Sequence, residues 1–145
     1  TLDTLDELAG PVPATMMRLA ADRKLTICLN MDGEHVDHQI ARRAIELVGA
    51  ESIIVMTDRC DVPRLGGQIL THHDETGLWY QEQGVVAAGS RPIHLQITYL
   101  RSMGVAEAEI TQLATLTPAT ALGIAPSPLA TSGDTEPPSL RQNPC

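Results

Sequence analysis

Residues 25–29 (LTICL) form a largely apolar run, the mark of a buried strand. From residue 38 to residue 48 the period lengthens. Ile40, Ala44, Leu47 and Val48 fall at i, i+4, i+7 and i+8, which is one face of a helix. Asp37 is placed to cap that helix and Gly49 to end it. Residues 52–57, SIIVMT, are a second short β-branched run. Strand, helix and strand within about 35 residues predict a βαβ unit, with parallel strands buried on both faces.

Either side of this unit the pattern changes. Met16, Met17, Leu19 and Ala20 lie near helical spacing, and Pro11 and Pro13 are expected to interrupt anything earlier. Residues 65–86 read as short strands separated by turns at Gly66-Gly67, at residues 72–77 and at Gly84. Ser90-Arg91-Pro92 opens a helix with Ile93, Ile97 and Leu100 on its inner face, and Gly104 ends it. Residues 106–115 predict another, with Ile110, Leu113 and Ala114 inward. Thr117-Pro118 then starts a last turn that Gly123 closes. Five of the ten prolines follow Ile124, among Ser, Thr and Gly. Residues 125–145 therefore read as a disordered Pro-rich tail that cannot build a core. No internal repeat is visible.

Composition narrows the function classes. At 145 residues and 43% hydrophobic, the chain can bury one modest core, which is aliphatic because Phe is absent. A net charge of −8 without a Lys/Arg cluster argues against nucleic-acid binding. No apolar stretch approaches the roughly 20 residues of a membrane span. The acidic start, TLDTLDELAG, lacks the pattern of a signal peptide. Cys28, Cys60 and Cys145 are odd in number and form no CxxC pair, so reduced thiols in a cytoplasmic protein are expected.

The candidate chemistry lies where the strands end. Asp32, Gly33, Glu34, His35, Asp37 and His38 crowd the exit of the first strand, and Asp58 follows the second. Carboxyl ends of parallel strands face one side, where α/β folds carry their active sites. Asp32 alone reads as a turn residue. His35 with Asp58 reads as a carboxylate and an imidazole at one rim, suited to general acid–base chemistry. Glu34 and His38 read as solvated neighbours. His72-His73-Asp74-Glu75 has the composition of a metal cluster, but adjacent residues of an extended chain point to opposite sides.

Five segments in order, MDGEHV, IARRAIELVG, IIVMTD, AAGS and ATLTPATALGI, resemble the D-G-x-H-V, V-T-D, L-A-G-S and A-T-x-N-P-A-x-A-L-G motifs and their surroundings in N-acetylglucosamine-6-phosphate deacetylases. These are metal-dependent (β/α)8 barrels of the amidohydrolase superfamily. The resemblance covers residues 25–124. It implies an α/β fold: a partial (β/α)8 barrel comprising the last barrel strands, a piece of the accessory β-domain and C-terminal helices, all within residues 1–124. It implies that Asp58 is the catalytic carboxylate and that His35 contacts the acetamido group. It also implies that Asp32, Gly33, Glu34 and His35 line the sugar pocket, which the backbone of Ala87, Ala88 and Gly89 closes. Zinc is the cofactor implied. The family's ligands, a glutamate and two histidines, lie upstream of D-G-x-H, and TLDTLDEL has no counterpart to the last of them.

The expected function is hydrolysis of the acetamide C–N bond of an amino-sugar phosphate, incomplete without the rest of the barrel. A second chain or a homo-oligomer would supply what is missing. Two other classes stand against it: a non-catalytic sugar-phosphate- or partner-binding remnant of the family, and a phospho-acceptor domain using Asp58. The last lacks a late strand-end lysine, since the only lysine is Lys24.

Overall fold

The computed structural model describes residues 11–125; the expected tail at 126–145 and residues 1–10 lie outside the described residues. Helix α1 (Pro11–Ala21) leads to strand β1 (Ile27–Asn30), helix α2 (His38–Val48), a 3₁₀ turn (Ala50–Ser52) and strand β2 (Ile53–Met56). Pro11 and Pro13 sit in the first turn of α1. Proline is tolerated there because the first N–H groups of a helix have no intrahelical acceptor.

Strands β1 and β2 pair in parallel, with Ile27 opposite Ile53 and Asn30 opposite Met56. Helix α2 is the crossover, and it starts where its cap allows. The Asp37 carboxylate accepts from the N–H groups of Gln39 (2.8 Å) and Ile40 (3.3 Å). Gly49, at φ 88°, ends it with its own N–H on the Ile45 carbonyl (2.8 Å). Ala41, Ala44, Ile45 and Val48 form the buried stripe, so the inner face is rotated from the one predicted and leaves Ile40 half-buried. Leu29, Met31, Ile53 and Val55 join that stripe in one aliphatic core with Ala20, Leu100, Ile110 and Leu113.

The expectation that both strand faces are covered fails. Cys28 is exposed, and Ile54 and Met56 are only half-buried. A two-stranded parallel sheet packed by helices on one side leaves its other face only partly covered among the described residues.

Beyond β2 come β3 (Arg64–Leu65), β4 (Gln68–Ile69), β5 (Thr71–His73), β6 (Leu78–Tyr80) and β7 (Val86–Gly89). β3 and β4 form a small hairpin, and β5, β6 and β7 an antiparallel sheet. The end of β7, where Gly89 pairs with Leu78, also makes a parallel bridge between Gly89 and Arg59, just past β2. The Trp79 indole N–H on the Cys60 carbonyl (2.9 Å) ties the same two regions.

Helix α3 (Ile93–Ser102) buries Leu100 as predicted, but its other buried residue is Gln96, while Ile93 is exposed. Helix α4 (Glu107–Thr111), a π turn (Gln112–Leu116) and helix α5 (Thr117–Ala121) run on continuously where two separate pieces are predicted. The wider π turn precedes Pro118, whose ring and missing N–H do not fit a regular α turn. The buried Thr117 hydroxyl then donates to the Ala50 carbonyl (2.7 Å), fixing this segment to the loop before β2.

Because Asp37 satisfies two orphan N–H groups of the crossover helix, Asp37→Ala should cost about 0.5–2 kcal/mol. Urea unfolding followed by circular dichroism measures it, and an unchanged midpoint would contradict the capping role.

Candidate active site

The end of β1 is built around a buried polar chain. Gln96, fully buried on α3, accepts the Met31 N–H through Oε1 (2.7 Å). Its Nε2 donates to Asn30 Oδ1 (2.8 Å), which also accepts the Asp32 N–H (3.2 Å). Asn30 Nδ2 is thereby turned toward the Thr57 carbonyl (3.3 Å) and His35 Nδ1 (3.2 Å). One glutamine thus aligns the exits of both parallel strands. The sequence reading missed it, because a single Gln in an amphipathic helix carries no signal of burial.

Asp32 is both a turn residue, as its place after a strand suggests, and a partner of His35. Its Oδ1 accepts the N–H groups of Glu34 and His35 (both 2.9 Å), and its Oδ2 meets His35 Nδ1 at 2.7 Å. The Asp32 side chain is 3% exposed and that of His35 26%. Burial by itself would raise the Asp32 pKa. The His35 backbone N–H, the His35 ring and the Glu34 N–H together outweigh it and hold the carboxyl below its ordinary value. Gly33, at φ 84°, lets the loop turn; a Cβ there would meet the His38 ring at 2.8 Å. Glu34 is exposed. His38, read as solvated, is half-buried instead. Its Nε2 lies 3.1 Å from the Met31 carbonyl and its ring packs on Tyr99, bracing the loop from behind.

Asp58 stands after β2, on the same end of the sheet as Asp32. It is exposed, at φ 47°, a left-handed conformation that Asp tolerates better than most residues. Among the described residues nothing hydrogen-bonds its carboxylate, and the imidazole of His35 is paired with Asp32.

The strand carrying Ala87, Ala88 and Gly89 closes the group. Gly89 donates its N–H to the Asp58 carbonyl (2.9 Å) and accepts the Cys60 N–H (2.9 Å). A Cβ on Gly89 would lie 3.0 Å from the Thr57 carbonyl and 3.8 Å from Asp32 Oδ2, so the bare backbone permits the approach of all three segments. Ala88 is buried and Ala87 half-buried. Arg91, read only as part of a helix start, spans the group from the side. Its guanidinium donates to the carbonyls of Asp32 (3.3 Å) and Glu75 (3.1 Å) and to the Tyr99 hydroxyl (3.2 Å).

His72 and His73 lie on β5 and pack on different rings, Trp79 and Tyr80. His72 joins Asp74 (2.8 Å) and Ser90 (2.9 Å), but the Ser90 hydroxyl also has the Gly77 carbonyl at 3.0 Å. This set pins the hairpin turn to the end of β7. Among the described residues no three His, Cys, Asp or Glu side chains group to hold a metal ion. The Asp32 contact at Nδ1 would suit a histidine that ligates through Nε2, but no second and third ligand stands beside His35 among the described residues.

A folded-state pKa held low means that folding favours the ionised Asp32. That stabilisation is complete above the unfolded value of 3.8 and is lost as pH falls through the folded value. Denaturant unfolding between about pH 6 and about pH 3 should show a steeper loss of stability than Asp32→Asn shows. Equal slopes for the two proteins would contradict the assignment.

No family model and no curated protein matches this sequence. Solved structures of the same fold do exist. The chain is similar to the N-acetylglucosamine-6-phosphate deacetylase of Pasteurella multocida, with a TM-score of 0.63 and 20% identity over 72% of this chain and 29% of that one. The enzyme of Thermotoga maritima gives 0.68 and 17%, over 77% and 32%. An aspartate-to-alanine variant from Mycobacterium smegmatis, solved with N-acetyl-D-glucosamine-6-phosphate, gives 0.65 and 23%, over 79% and 32%. The chain spans about a third of the length of these proteins, and no helix among its described residues is long and apolar enough to cross a membrane. The family that the five sequence motifs resemble and the family whose solved structures share this fold are the same, the N-acetylglucosamine-6-phosphate deacetylases.

Proposed function

We propose that residues 1–124 are the last strands of a (β/α)8 barrel with a piece of its accessory β-domain, carrying one side of an N-acetylglucosamine-6-phosphate deacetylase site. The observation that supports this most is the convergence of three separated motifs. The DGEH loop, the Thr57-Asp58 turn and the Ala87-Ala88-Gly89 strand meet at one end of a parallel strand pair, with Gly89 between Asp32 and Asp58. The parallel Gly89–Arg59 bridge supports a third barrel strand beginning beside β2.

In this reading the exposed Asp58 is the general base and acid. It takes a proton from the attacking water as the C–O bond forms, and returns it to the nitrogen as the acetamide C–N bond breaks. Acetate and the free amino-sugar phosphate are the products. His35 contacts the acetamido group, and Asp32, Gly33 and Glu34 with the backbone of Ala87, Ala88 and Gly89 line the sugar pocket. The substrate class is supported by the Mycobacterium smegmatis neighbour, which binds N-acetyl-D-glucosamine-6-phosphate. A metal supplies a nucleophilic water and polarises a carbonyl when bound in such sites. No three ligands group among the described residues, and in this reading they come from another segment. That segment, on a longer form of the chain or on a partner chain, would also cover the face that exposes Cys28. Free thiols at Cys28 and Cys60 fit a cytoplasmic setting.

The chain alone should show no deacetylation of N-acetylglucosamine 6-phosphate, with or without added zinc. Mixed with a separately produced fragment carrying the missing barrel strands of a deacetylase, it should turn over, and Asp58→Asn should reduce the rate about 10²–10⁴-fold. Turnover by the unaided chain would overturn the need for a second segment. Restored activity that survives Asp58→Asn would overturn the role of Asp58. Binding of the sugar phosphate without any restored turnover would favour the non-catalytic remnant.

A further inference from the structure

His35 Nδ1 has two neighbours of opposite character, an acceptor in Asp32 Oδ2 at 2.7 Å and a donor in Asn30 Nδ2 at 3.2 Å. Neither orientation is arbitrary. The Met31 N–H fixes which end of the Gln96 amide is oxygen, because only an oxygen can accept it. Gln96 Nε2 must then donate, so the atom of Asn30 that it meets is also oxygen. The Asp32 N–H demands the same of Asn30. That leaves Asn30 with its N–H₂ facing His35 and the Thr57 carbonyl. Among the described residues no group hydrogen-bonds His35 Nε2, and the ring edge carrying it is the part left for a ligand.

Either neutral tautomer of His35 is therefore satisfied at Nδ1. With the proton on Nδ1, it donates to Asp32. With the proton on Nε2, Nδ1 accepts from Asn30. The two are not equal, since a hydrogen bond to an ionised carboxylate is shorter and about twice as strong as a neutral one. We propose that Asp32 is a positioning residue that sets the tautomer of His35, keeping the proton on Nδ1 and presenting Nε2 as an acceptor, while the Gln96–Asn30 pair keeps the reverse tautomer hydrogen-bonded. This deepens the deacetylase reading and rests on it for its ligand. Neutral His35 accepts an N–H or O–H of the substrate. It can donate to a developing oxyanion only with a proton on Nε2. The charged and polar groups packed around the loop are Asp32 itself, the Arg91 guanidinium on the Asp32 carbonyl, and His38 behind Gly33.

The test reads the ring nitrogens of His35 directly, on the chain as it is and without substrate. The ¹⁵N-histidine-labelled protein is compared with His35→Gln to assign the signals, at a pH where the imidazole is neutral. The expected spectrum shows a protonated, pyrrole-type nitrogen at Nδ1 and a pyridine-type nitrogen at Nε2. In Asp32→Asn, Oδ1 still caps the Glu34 and His35 N–H groups, but an amide N–H₂ replaces the acceptor at Nδ1. The two signals should exchange. A wild-type ring protonated at Nε2 overturns the proposal without any variant, and so does a folded Asp32→Asn whose tautomer is unchanged. If Asp32→Asn does not fold, the wild-type spectrum still decides. The outcome is separate from the function itself: a chain that restores deacetylation while His35 is protonated at Nε2 refutes only this inference. The expected tautomer in a chain that restores nothing refutes only the deacetylase reading.

Discussion

The contact between Gln96 and Asn30 is the constraint on which the rest of the rim depends. A buried carboxamide is costly unless both its ends are satisfied, and this pair satisfies itself, the Met31 and Asp32 N–H groups, and the Thr57 carbonyl. Helix α3 is thereby tied to the end of β1 by directional bonds, where aliphatic packing alone would allow it to slide. The same bonds tie β1 to the turn after β2. His35 inherits its setting from this pair and from Asp32.

Three chain segments far apart in sequence arrive at that rim for different reasons. The parallel pairing of β1 and β2, with α2 as crossover, puts Asp32 and Asp58 on one side, because parallel strands share the direction of their carboxyl ends. The third segment, β7, arrives from an antiparallel sheet, and only the absence of a side chain at Gly89 lets its backbone come within hydrogen-bonding range of residues 58–60. The exposed Cys28 and the half-buried Ile54 and Met56 mark the cost of having only two parallel strands: the sheet face away from the helices has no layer of its own.

What the sequence made legible was the part governed by local pattern. Apolar runs, a helical period and the caps at Asp37 and Gly49 located β1, α2 and β2 to within a residue or two. Gly66-Gly67, Gly77 and Gly84 marked real turns. The relations set by tertiary contact were hidden. Gln96 drew no notice, since burial of a single polar residue leaves no periodic trace. His35 and Asp58 were placed at one rim because strand ends share it, but nothing local showed that Asp32, three residues away, holds the His35 ring. Pro118 signalled a new turn, but a π turn absorbed it and the helix continued. Arg91 was read for its place before a proline, and its three hydrogen bonds follow only from the fold.

The claim that one buried amide pair organises the site is tested most directly by a double-mutant cycle on Gln96 and Asn30. Gln96→Ala, Asn30→Ala and the double variant are compared by urea unfolding. If the pair acts as a unit, the double variant loses less than the two single variants together, with a coupling of about 1–3 kcal/mol. Losses that add to within about 0.5 kcal/mol would show that the two residues stabilise the fold independently, and would contradict the account.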